Sequence, residues 1–129
     1  LIYLDSCLVI YLTEKTPPWN PRLVAAMSAE RSTQFVISPL VAMECLVQPL
    51  KRSDVVTEAA FNKAFANFDM LEMTRPVFFA AAELRARHQL KTPDALHLAC
   101  AQHHRCTGLW TADQRFRNVG AGFVRVLTA

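Results

Sequence analysis

At 129 residues the chain has the length of one domain with a sizeable core, and it is too short for two. Hydrophobic residues make up 52% against only three glycines, a balance that argues for helices and for some apolar surface left to a partner. The net charge of +3 and a pI near 8.8 suit nucleic acid without specifying it, and no apolar stretch approaches the ~18 residues of a membrane span.

The start carries neither the basic flank nor the small-residue cleavage site of a signal peptide, so the chain is expected to be cytoplasmic. It begins at Leu1, which is read as an initiator Met trimmed away. Cys7, Cys45, Cys100 and Cys106 follow no disulfide-scaffold spacing and have mostly apolar neighbours, so they are expected to be reduced core residues.

In chain order, the apolar run Leu1 to Leu4 predicts a strand and Ser6 to Thr13 a helix. Asn20-Pro21 then predicts a cap and the start of a helix over Pro21 to Arg31, because a cap oxygen satisfies an orphan N–H while Pro gives up a donor that had no partner. A strand over Gln34 to Ile37 leads into Ser38-Pro39, the same signal, and a helix over Pro39 to Leu50. Ser53 to Phe68 predicts another helix, with Phe61, Phe65 and Phe68 on its core side. Met70 to Met73 is β-rich, Arg75-Pro76 opens a helix over Pro76 to Gln89, and Thr92-Pro93 opens one over Pro93 to His104. Strands over Leu109 to Thr111 and Phe123 to Leu127 close the chain, with a short turn after Asp113 between them. Strands alternating with helices imply an α/β fold whose parallel sheet is covered on both faces.

In such folds ligands bind beyond the carboxyl ends of the strands, where Asp5 and Asp113 are expected. Each also suits a plain helix cap. Glu44 falls between Leu40 and Val47 on one helical stripe, where a carboxylate needs a cation or a hydrogen-bond network, unless the stripe is simply broad and Glu44 lies on the surface. Asp94, second in its predicted helix, suits the helix dipole with no function required. Four carboxylates brought together repel by roughly 1 to 4 kcal/mol per close pair at surface-like dielectrics, so their convergence calls for a cation. Oxygen-only ligation selects Mg²⁺ or Mn²⁺, and the chemistry that follows is phosphodiester hydrolysis by metal-activated water. Setting the four acids aside leaves seven acidic against 14 basic residues, a surround of +7 that suits a polyanion.

Other chemistries fit less well. His97, Cys100, His103, His104 and Cys106 form no two ligand pairs for zinc, and His97, Cys100 and His104 are expected to pack in a core-like helix. Neither Cys45 nor Cys7 is followed at phosphatase spacing by Arg; a phosphoaspartyl hydrolase would want an acid where Cys7 stands; a receiver domain would want Asp at Thr74; and no glycine-rich phosphate loop exists.

The segments LIYLDSCLVIYL, SPLVAMECLV, TPDALHLACA and LWTADQRF together resemble the PIN domain, and more narrowly a VapC-type toxin ribonuclease, in order and spacing over nearly the whole chain. The resemblance implies a single domain over residues 1–129, a three-layer α/β/α sandwich with a central parallel sheet of four to five strands. It implies a metal site formed by Asp5, Glu44, Asp94 and Asp113, supported by Ser6 and Thr111, and dependence on Mg²⁺ or Mn²⁺. The implied activity is endonucleolytic RNA cleavage leaving 5′-phosphate and 3′-hydroxyl ends, inhibited by a cognate antitoxin that points a basic side chain at the acids. A homodimer is also expected. The chain departs from the family at Arg115, where a further acid is common and whose absence weakens the case for a second ion, and at Ala112, commonly Asn. Arg115 is a possible substrate contact, as are Lys15, Arg22, Lys51, Arg52 and Arg117, while Trp19 could stack on a base or merely cover a local patch. The alternatives are a non-catalytic PIN-like nucleic-acid-binding module, and an RNA-processing or structured-DNA nuclease with the same acids.

Overall fold

The computed structural model describes residues 1–120 and 122–128. The first strand, β1 (Ile2–Leu4), is buried throughout and turns at Asp5 into α1 (Ser6–Glu14), which ends on Lys15 in the left-handed region. There follow α2 (Trp19–Ala29), β2 (Phe35–Ile37), α3 (Pro39–Lys51), α4 (Val55–Phe65), β3 (Asp69–Met70), α5 (Arg75–Arg87) and α6 (Thr92–His103). Finally, β4 (Gly108–Thr111), a 3-10 turn (Gln114–Phe116) and β5 (Val124–Val126) complete the described chain.

The five strands form one parallel sheet in the order β3-β2-β1-β4-β5, the centre of a three-layer α/β/α sandwich. The chain builds outward from β1 to β3 on one side and then crosses to β4 and β5 on the other. The order therefore reverses between β1 and β4, and in open α/β sheets the crevice beyond such a reversal is where ligands bind. Helix α1 packs against α2, α3 and α4, while α5 packs against α6. The core draws on Tyr3, Leu4 and Leu109 from the central strands, on Val41 and Phe61 from α3 and α4, and on eight consecutive buried residues, Asp94 to Ala101, in α6. Among the described residues no helix is long and apolar enough to cross a membrane.

The alternation of elements follows the sequence expectation, and the differences have local causes. Ser38 caps α3 as expected, its hydroxyl accepting from Val41 N at 3.4 Å. Asn20 does not cap α2: its side chain donates to the Tyr11 carbonyl at 3.1 Å, and the helix starts earlier, with Trp19 stacked on Tyr11 at 5.2 Å between ring centroids. Thr92 is the first residue of α6 rather than its cap, so Asp94 is third. Asp54 rather than Ser53 opens α4, accepting from Thr57 N at 3.0 Å, and the helix stops at Phe65, leaving Phe68 outside it. The predicted strand over Met70 to Met73 shrinks to Asp69–Met70, an exposed strand with a ladder on one side only.

Phe61 is 1% exposed and lies against Phe65 with ring centroids 6.2 Å apart, whereas Val56 on the same helix is 77% exposed. Phe61→Ala should therefore cost about 3–5 kcal/mol of unfolding free energy in urea, and Val56→Ala less than about 0.5 kcal/mol. Equal losses for the two would contradict this account of the core.

Candidate metal centre

Asp5 is held at the carboxyl end of β1 from two directions. As the cap of α1 its Oδ1 accepts from Ser6 N at 2.7 Å, and its Oδ2 accepts from the Thr111 hydroxyl at 2.6 Å. Thr111, the last residue of β4, accepts in turn from Asp113 N at 3.0 Å. The Asp5 amide donates to the Trp110 carbonyl at 3.0 Å, which extends the β1–β4 ladder to the acid itself. Asp5 is 6% exposed, so its remaining acceptor capacity faces the cleft rather than bulk water. The cap and the site are thus not alternatives, because one carboxylate serves both.

A cleft of about 340 Å³ opens there, lined by Asp5, Ser6, Glu44, Asp94, Asp113 and Arg115, with Cys7, Tyr11 and Ala112 completing its wall. All four acids expected from the sequence reach this one space. Glu44 does so from α3, although Leu40 is only partly buried and Val47 is 48% exposed; the buried stripe is Val41, Cys45 and Pro49, and Glu44 lies at its margin. The network that a half-buried carboxylate needs is supplied by His97 of α6, whose Nε2 lies 2.5 Å from Glu44 Oε1. Asp94 enters from the first turn of α6. Asp113, like Asp5, is also a cap, its Oδ1 accepting from Arg115 N at 2.9 Å.

Within the cleft the acids divide into two groups. Ligand atoms of Asp5, Glu44 and His97 all lie within 4.8 Å of one another, with His97 Nε2 3.5 Å from Asp5 Oδ1. Arg115 forks onto Asp113, with Nη2 2.5 Å from Oδ2 and Nε 3.0 Å from Oδ1, and the same Nη2 stands 3.6 Å from Asp94 Oδ2. Its side chain remains 52% exposed. Of the basic residues considered as phosphate contacts, Arg115 lines this cleft and Arg52 lines a smaller one that also touches Glu44. Trp19 is committed to its stack on Tyr11.

The electrostatics follow this division. Partial burial would raise the Glu44 carboxyl, but the hydrogen bond from His97, its charge when protonated and a hydrogen bond from Ser6 together hold it below the ordinary range. The Arg115 guanidinium likewise keeps Asp113 below it. Asp94 moves the other way: burial raises it, Arg115 opposes, and the charges of Asp113 and Asp5 add to the rise. An acid whose ionised form is disfavoured by burial and by neighbouring carboxylates gains from a cation beside it.

The donor set fits a hard divalent cation. Asp5 and Glu44 offer carboxylate oxygens close to one another, Asp94 lines the same cleft, and the cleft leaves room for bound water. Cys7 also faces it, but burial and the Asp5 charge push that thiol up to about 12, so it stays an S–H, 3.7 Å from Asp5 Oδ2, and offers no soft thiolate ligand.

The sequence pattern predicts that His97 only packs in the core. It is 1% exposed, as that reading requires, and its Nε2 also meets Glu44 and approaches Asp5 from beneath the cleft. The signal available was its place one helical turn after Asp94, on the same side of α6. Cys100 is buried and free, and His104 meets the Glu72 carbonyl at 2.7 Å, so neither reaches the cleft.

The fold has counterparts among solved structures. A toxin-antitoxin complex from Klebsiella pneumoniae is 24% identical with a TM-score of 0.75, covering 98% of this chain and 97% of that chain. VapBC2 from Rickettsia felis, bound to a DNA fragment from its promoter, is 15% identical with a TM-score of 0.80 over 99% and 100%. VapC20 from Mycobacterium tuberculosis, a sarcin-ricin loop cleaving toxin, is 19% identical with a TM-score of 0.73 over 98% of each chain. No curated protein matches significantly. The PIN domain family itself matches residues 2–122, the stretch that contains every strand start from β1 to β4 and all four acids of the cleft, and the chain belongs to that family.

Proposed function

We propose that residues 1–129 form a single PIN domain acting as an Mg²⁺- or Mn²⁺-dependent endoribonuclease, the toxin of a type II toxin-antitoxin pair. The observation that carries this reading is the cleft lined by Asp5, Glu44, Asp94 and Asp113 at the carboxyl edge of the sheet. A divalent ion bound there would polarise a phosphoryl oxygen and lower the pKa of a water beside it. Asp5, Glu44 and Asp94 are the oxygen donors that would hold it. Ser6 and Thr111 keep Asp5 in place, and Thr111 couples it to Asp113 through the Asp113 amide. Arg115 supplies fixed positive charge at Asp113, which favours one ion over two, and its exposed fork suits a phosphate of the substrate.

RNA as substrate and an antitoxin as partner are supported by what the similar structures are: one is a sarcin-ricin loop cleaving toxin and another a toxin-antitoxin complex. The antitoxin would offer the acids a basic side chain. Self-association is supported by Met43, Val47 and Leu50, which recur at helical spacing along α3 and are about half exposed, and by exposed Phe78 and Phe79 on α5. Four free cysteines suit a cytoplasmic location. One observation favours a second reading, a non-catalytic nucleic-acid-binding module: Arg115 already answers the charge of Asp113 and part of that of Asp94.

Matched RNA and DNA oligonucleotides separate these readings. The enzyme should cut RNA only with Mg²⁺ or Mn²⁺, and Asp5→Asn, Glu44→Gln and Asp94→Asn should each lose more than the roughly 10- to 100-fold that an outer partner of a metal ligand costs. Full activity in two of the three would sink the assignment, cutting of DNA alone would move it to a DNA nuclease, and RNA binding without cutting would favour the module.

A second measurement addresses Arg115. Because Asp113 is held below its ordinary value in the folded chain, the pair stabilises the fold above that ordinary value, 3.8, and the contribution is lost as the pH falls through the lower folded one. In Arg115→Gln the Asp113 carboxyl ¹³C titration midpoint should rise toward 3.8. An unmoved midpoint would show that the fork is not made in solution.

A further inference from the structure

Beneath the cleft, four side chains from β1, α6, α3 and the cap of α3 form one line. Ser38 Oγ lies 2.6 Å from the Tyr3 hydroxyl, that hydroxyl lies 2.6 Å from His97 Nδ1, and His97 Nε2 lies 2.5 Å from Glu44 Oε1. Tyr3, Ser38 and His97 are 0%, 0% and 1% exposed, so water does not complete their hydrogen bonding. Burial also raises the Tyr3 phenol, which keeps its proton.

Counting hydrogens gives the line a direction. The Glu44 carboxylate can only accept, so Nε2 carries a hydrogen and donates it. In the neutral ring Nδ1 is then an acceptor, and the Tyr3 O–H donates to it. This leaves the Tyr3 oxygen free to accept from the Ser38 O–H, while Ser38 Oγ accepts from Val41 N. Every buried hydrogen has an acceptor. In the opposite sense Nδ1–H would donate to Tyr3, Tyr3 would donate to Ser38, and the Ser38 hydroxyl hydrogen would have no acceptor among the described hydrogen bonds; a buried orphan of this kind costs about 1–3 kcal/mol.

We infer that His97 is a positioning residue, held by Tyr3 and Ser38 as the Nε2–H tautomer, that donates to Glu44 and aims this carboxylate into the cleft rather than giving a nitrogen to the metal. Ligation through Nε2 would strip that nitrogen of its hydrogen and force the reverse, orphaned arrangement. His97 therefore leaves a centre of carboxylate oxygens, and its 3.5 Å approach to Asp5 Oδ1 is a weaker second contact of the same N–H. The role given to Glu44 rests on the proposed metal-dependent reading, whereas the tautomer does not.

Long-range ¹H–¹⁵N spectra of the full chain test this, with His97 assigned by the loss of its signals in His97→Gln. A protonated Nε2 and an unprotonated Nδ1, unchanged by Mg²⁺, are expected; a protonated Nδ1, or an Nε2 that loses its hydrogen when the ion is added, would overturn the inference. In Tyr3→Phe Nε2 should keep its hydrogen, because Glu44 still accepts it, and only the Nδ1 signal, which loses the Tyr3 donor, should shift. Calorimetry with Mn²⁺ should show a roughly 10- to 100-fold loss of affinity in His97→Leu, with much of it restored in His97→Gln, whose amide can still donate. Equal affinities in those two variants would overturn the positioning role. An Nε2–H tautomer in a wild-type chain that binds no Mn²⁺ would instead overturn the metal-dependent reading and leave the tautomer standing.

Discussion

The hydrogen bond from Thr111 to Asp5 ties the two central strands together at the point where the order of the sheet reverses. The reversal opens a crevice, and the bond closes its floor while turning a carboxylate toward it. Because Asp5 also caps α1 and its amide continues the ladder to Trp110, the acid cannot be displaced without loosening three pieces of structure. Relief of charge repulsion alone would make its neutralisation harmless or stabilising to the fold. At Asp5 that gain is offset, because an amide in its place can no longer accept from Ser6 and Thr111 with both of its polar atoms.

The rest of the cleft answers the charge that Asp5 begins. Acids at this spacing need partners, and the protein provides them asymmetrically. On one side His97 meets Glu44 with a hydrogen bond whose far end is anchored in the core by Tyr3 and Ser38. On the other side Arg115 meets Asp113 with a guanidinium fork at the surface. Asp94, met by Arg115 Nη2 at 3.6 Å, is the acid whose carboxyl is raised. A cation supplied from solution would finish what the protein leaves undone there. The fork is half exposed, so breaking it would cost little buried structure.

Much of this was legible in the chain because it is written in local signals. Ser38-Pro39 marks its helix by chemistry that needs no tertiary partner, and the apolar runs before Asp5 and Asp113 bring both acids to one edge of a parallel sheet. The features that were not legible depend on contacts between distant segments. Asn20 looks like a cap until the Tyr11 carbonyl claims its side chain. The sequence puts Glu44 on a stripe with Leu40 and Val47, yet the buried stripe is Val41, Cys45 and Pro49, and Glu44 meets His97 from its margin. His97 sits in a helix buried along eight consecutive residues, where no periodicity distinguishes the face toward the site from the face toward the core. Arg115 follows an acid by two positions, a spacing shared by solvated charges and forked ion pairs alike.

The central claim is that Asp5 anchors a divalent cation with Glu44 in an oxygen-rich shell. A crystal structure of the protein grown with Mn²⁺, with the ion located by its anomalous scattering, tests this most directly. One ion should appear in the cleft, with oxygens of Asp5 and Glu44 at roughly 2.0–2.2 Å and the His97 nitrogen outside its shell. A cleft without an ion at saturating Mn²⁺, or an ion held by other groups and out of reach of Asp5, would contradict the account.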